Sequence, residues 1–124
     1  MANRKQTFGG AAGLPLSASV RAGDFVFTAG QMPLDDNGEI MAGNIESQTR
    51  VTLDRLKKVL GMAGAELSDV VKVTVWLADP RDFNGFNKVY REYFPENPPA
   101  RSTVRSELVI DARLEIEAVA YRPQ

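Results

Sequence analysis

A chain of 124 residues, 44% apolar and 25% charged, has material for one hydrophobic core, so residues 1–124 are expected to form one domain of ordinary globular composition. It contains no histidine and no cysteine, which removes Ser-His-Asp and Cys-His nucleophiles, disulfides, redox thiols and ordinary zinc sites. The net charge of −1, with lysine and arginine scattered, gives no footprint for nucleic acid. No apolar run approaches the roughly 18 residues of a membrane span, and the polar start at 1–6 has no signal-peptide character, so the expected compartment is the cytoplasm.

The elements can be taken in chain order. Residues 1–16, rich in Gly and Ala, read as loop or weak edge strand. Stretches 17–21 and 25–31 read as two strands around the turn Ala22-Gly23-Asp24. Pro33 ends the second, and Asp36-Asn37-Gly38 is a turn. Asn44 suits a helix N-cap, with Glu46 in the first turn. Thr49, Leu53, Leu56, Leu60 and Ala63 then recur at helical spacing. Lys57 and Lys58 fall in the expected last turns, Asp54 and Lys58 are spaced as an i,i+4 pair, and Gly61 or Gly64 ends the helix.

Residues 70–77 form a β-branched strand, with Val71, Val73, Val75 and Leu77 on one face and Lys72, Thr74 and Trp76 on the other. Asp79-Pro80 starts a second helix with the stripe Phe83, Phe86, Tyr90 and Phe94; Pro95, Pro98 and Pro99 end it. Residues 101–105 and 113–121 are the last strands. The order β-β-α-β-α-β-β predicts an α+β fold, with two helices on one face of a single sheet. Two helices cannot cover both faces. A second copy of the chain is the expected cover for the face carrying Trp76, Glu115, Glu117, Val119 and Tyr121.

Chemistry must then run on carboxylates, Arg, Lys, Tyr, Ser, Thr, backbone groups and water. Arg101 follows the rigid Pro98-Pro99 and opens a strand. The simpler reading of such a residue is a salt-bridge partner. The functional one is a bidentate clamp on a substrate carboxylate. Glu115 and Glu117 share one strand face; taken alone, exposed alternation or an interface ion pair is the favoured reading, and catalysis the functional one. Of the two, Glu117, followed by Ala118-Val119-Ala120, is expected to lie deeper and to orient a water. Asn87 borders the aromatic stripe and is either a local backbone partner or a ligand donor. Neither a P-loop nor a GxGxxG motif occurs.

Four separated motifs, PPARSTV at 98–104, EIEAVA at 115–120, TAGQMP at 28–33 and DFNGFNKVY at 82–90, resemble the Rid (YjgF) family over nearly the whole chain. The resemblance implies a chorismate-mutase-like fold, a homotrimer with its sheets forming a central barrel, and clefts between subunits. It implies hydrolysis of reactive 2-imino or enamine acids to 2-oxo acids and ammonia, as in 2-iminobutanoate/2-iminopropanoate deaminases, with no cofactor and no metal. Relatives acting on aminoacrylate or aminomuconate, and a non-catalytic trimer that binds small carboxylates, are the alternatives. Arg101 matches the family's carboxylate-gripping arginine, Glu117 its water-associated glutamate, Asn87 a cleft asparagine and Thr103 a position that is cysteine in the archetype. Leu16 and Ala29 stand where the archetype has tyrosine and serine, which implies a more apolar cleft.

Overall fold

The computed structural model describes residues 4–11 and 13–124; the loop-or-edge-strand reading of 1–16 falls partly outside them. The strands are β1 (Gln6–Phe8), β2 (Ser19–Ala22), β3 (Phe25–Thr28), β4 (Val70–Leu77), β5 (Ala100–Arg105) and β6 (Leu114–Tyr121). The helices are α1 (Ile45–Met62) and α2 (Phe83–Tyr93). All six strands join one mixed sheet in the order β1-β2-β3-β6-β4-β5. Only β4 and β5 run parallel, because α2 carries the chain back between them. The α+β architecture with both helices on one sheet face is therefore observed.

Core formation follows the two periodicities. Along β6, Leu114, Ile116, Ala118 and Ala120 are buried, whereas Glu115, Glu117, Val119 and Tyr121 point to the open face. From α1 come Leu53, Leu56 and Leu60, all fully buried, and from α2 Phe86, Val89 and Tyr90. Asn44 caps α1, its side-chain oxygen accepting from the Ser47 N–H at 2.9 Å. Gly85 lets the helices approach: a Cβ there would collide with Ile45.

Several boundaries differ from expectation. The second strand of the first hairpin stops at Thr28; beyond it the chain leaves the ladder, and its backbone pairs with β6 through an isolated bridge between Gln31 and Ile116. Val71 is 45% exposed, because a register shift between Val70 and Lys72 turns it out and puts Val70 in the core instead. Asp79 caps a short 3₁₀ turn, Pro80–Asp82, by accepting from the Arg81 N–H, so α2 itself starts at Phe83. Phe83 is consequently 43% exposed, at the rim of the stripe. The last turn of α1 has no basic residue, and Asp54 accepts from the Tyr93 hydroxyl at 2.8 Å, with no ion pair to Lys58.

The open sheet face carries an apolar strip. Phe25 and Phe27 of β3 stand opposite Tyr121 and Val119 of β6. The Phe25 and Tyr121 rings are 5.2 Å apart between centroids, and both Phe25 and Phe27 remain exposed.

Candidate functional site

Arg101 sits on the edge strand β5, paired with Val73 of β4, so its side chain shares the helix-bearing face with Val73. There its guanidinium lies over three rings: Tyr90 at 4.7 Å, Phe86 at 5.2 Å and Phe83 at 5.9 Å from their centroids. It forms no ion pair among the described residues. The rings fix the plane of the fork without using its N–H groups on a carboxylate. Burial pushes the Tyr90 hydroxyl above its usual pKa, opposed by the adjacent Arg101 charge.

Thr103 stands two residues further on the same side of β5 and lines, with Phe83 and Pro80, a cavity of about 320 Å³. Asn87, half-buried on α2, is one turn from both Phe83 and Tyr90 and makes no side-chain hydrogen bond among the described residues. Arg101, Thr103 and Asn87 thus form one group at the α2–β5 edge.

Leu16 and Ala29 belong to a second group. They line a cavity of about 370 Å³ where the chain leaves β3, reaching from α1 to the side chain of Glu115. Glu115 packs against Gly30 so closely that any Cβ at position 30 would fall on its carboxylate. Burial, then the charge of Glu117, raises the Glu115 pKa above the ordinary carboxylate range. Glu117 itself is half-buried on the open sheet face opposite Thr74 and does not line this cavity. The geometry brings Glu115 to Leu16 and Ala29, and leaves Glu117 as its like-charged neighbour. Apolar flanking residues gave Glu117 the greater expected depth; nothing local in the sequence marks Glu115, because Gly30, which leaves room for its carboxylate, meets it only in the fold.

The two groups do not meet within one chain. β3 and β5 are separated by β6 and β4, three strand spacings or roughly 14 Å. Arg101 also faces the helices, whereas Glu115 and Glu117 face the opposite side. A small substrate reaching both requires the edge of one chain to lie against the β3 end of another.

Such a molecule is a small α+β protein whose candidate site residues are split between two surfaces. A family model described as Endoribonuclease L-PSP matches residues 10–122. A RutC family protein of Pyrococcus horikoshii is 50% identical over 110 residues, 87% of each chain. The 3-aminoacrylate deaminase RutC of Acinetobacter baylyi is 39% identical over 109 residues, 86% of each. The crystal structure of Escherichia coli TdcF with bound serine superposes with a TM-score of 0.84 at 39% identity, covering 94% of each chain. This chain belongs to the Rid (YjgF) family.

Proposed function

We propose that the chain assembles as a homotrimer and hydrolyses reactive 2-imino acids and their enamine tautomers to 2-oxo acids and ammonia. The observation that carries this reading is Arg101: its plane is held by three aromatic rings, no carboxylate of the described chain engages it, and it stands on an unpaired sheet edge. A fork so held suits a planar carboxylate. The deaminase named among the relatives supports the reaction class. The net charge of −1 and the lack of histidine favour a small-molecule substrate over the nuclease activity in the family model's description.

In this mechanism Arg101 and Asn87 of one subunit grip the substrate carboxylate, beside Thr103, and Leu16, Ala29 and Glu115 of its neighbour enclose the imine carbon. Glu115, with a raised pKa, takes a proton from water as the oxygen adds to the C=N carbon. Glu115 passes that proton to the imine nitrogen, giving the carbinolamine. It then takes the carbinolamine hydroxyl proton and delivers it to the nitrogen as C=O forms and the C–N bond breaks with its electron pair leaving on nitrogen, so one water is consumed and one ammonia released for each 2-oxo acid. The Glu117 charge makes Glu115 the stronger base by raising its pKa. Such substrates are intrinsically reactive, so positioning and proton transfer suffice.

The test is decay of 2-iminobutanoate, 2-iminopropanoate and 3-aminoacrylate, generated in situ, with wild type, Arg101→Ala, Glu115→Gln and Glu117→Gln. Wild type accelerates decay. Arg101→Ala and Glu115→Gln each lose about 100-fold or more, whereas Glu117→Gln loses under about tenfold. Full activity in Arg101→Ala refutes the clamp. A larger loss in Glu117→Gln than in Glu115→Gln returns the acid-base role to Glu117.

A further inference from the structure

The cavity that holds Glu115 contains two cations that the reaction above does not use. Arg55, Lys58 and Met62 follow one another at helical spacing on α1, and all three line it. Elsewhere on the helices three ion pairs form, Arg50 with Glu92, Lys88 with Glu46, and Arg113 with Asp82 at the start of α2, while Lys57 and Arg91 point to solvent. Arg55 and Lys58 have no carboxylate within ion-pair distance among the described residues.

A solvated helix face explains a free lysine but not this arginine. The Nε of Arg55 is shut off from solvent and has no hydrogen-bond partner. Its Nη1 reaches only the Leu34 carbonyl, at 3.5 Å, the outer limit of a hydrogen bond. Buried donors are ordinarily satisfied, so a guanidinium left this way beside a cavity is suited to an anion. The partner is not Glu115, which forms no ion pair with either cation. The walls between are apolar, including Leu16, Val59 and Met62.

We propose that Arg55 and Lys58 form a second carboxylate subsite, and that the substrates of this protein include 2-imino dicarboxylic acids, whose side-chain carboxylate it receives. This rests on the deaminase reading, in which Arg101 of the adjoining subunit takes the first carboxylate and Glu115 acts at the carbon between.

Two stable 2-oxo acids of equal chain length separate the subsite from the chemistry: 2-oxoglutarate, and 2-oxopentanoate, which has a methyl in place of the second carboxylate. By calorimetry the wild type binds 2-oxoglutarate at least tenfold more tightly, and Arg55→Gln/Lys58→Gln abolishes that ratio. Lys58→Gln, a change at an exposed lysine that leaves folding intact, lowers it about threefold. Equal binding of the two acids by wild type, or a ratio unchanged in both variants, overturns the proposal. The corresponding imines, made in situ from glutamate and norvaline by an amino-acid oxidase, complete the design. If neither imine is hydrolysed faster while the binding ratio depends on Arg55 and Lys58, the deaminase reading fails and the subsite stands. Hydrolysis of 2-iminopentanoate but not of 2-iminoglutarate removes the subsite and leaves the deaminase.

Discussion

At the scale of single residues, the proposed role of Glu115 makes the reaction pH-dependent through its pairing with Glu117. Glu115 has its pKa raised first by burial and then by the neighbouring charge. The activity of a base with a raised pKa falls as pH drops through that value, earlier than for an ordinary carboxylate. Glu117→Gln removes the repulsion, so the acid limb of the kcat/KM profile moves to lower pH; an unmoved limb shows that Glu115 is not the titrating group. Stability carries the opposite sign. A carboxyl whose folded pKa lies above its unfolded one contributes stability at low pH that is lost as pH rises through the folded value. Glu115→Gln therefore raises the melting temperature at neutral pH. The gain vanishes below about pH 3, where the carboxyl is protonated in both states. That this glutamate and not Glu117 faces the cavity was hard to read from alternation, which puts both on one face. The contact with Gly30, across a chain that has already left the ladder, separates them.

At the scale of elements, the β4 bulge is the clearest case of tertiary structure overriding a local pattern. Four alternating apolar residues suggested an unbroken strand face. The register shift expels Val71 and buries Val70, while Val73, Val75 and Leu77 keep their places. Val71→Thr is expected to change unfolding free energy by less than about 0.5 kcal/mol. Val73→Thr, which buries a hydroxyl among apolar neighbours, costs about 2 kcal/mol. Urea titrations of both measure the difference, and equal costs contradict the bulge. The helices were the more legible elements, because a cap at Asn44 and repeats of Leu act within a few residues. Strand ends were less so: Thr28 ends β3 because its hydroxyl accepts from the Ala118 N–H at 3.0 Å, ninety residues away.

At the scale of the whole molecule, the strip of exposed Phe25, Phe27 and Tyr121 with half-buried Val119 and the split site point to the same requirement, a second copy of the chain. Phe27→Glu, on the exposed side of β3, is expected to turn the assembly into monomers by sedimentation and to abolish turnover while leaving the helix signal in circular dichroism. A monomeric wild type with full activity removes the shared-cleft reading. The alternating and helical periods of the sequence by themselves determined the α+β class and the inventory of charged residues available for chemistry, because those periods are set by backbone geometry over neighbouring residues. The motifs at 28–33, 82–90, 98–104 and 115–120 carried the family. Only the tertiary structure decided which glutamate meets Gly30, that Arg101 rests on aromatic rings without a carboxylate, and that the arginine and the glutamate face opposite sides of one sheet. Each of these depends on strand order and register, which pair residues distant along the chain and leave no local trace in it.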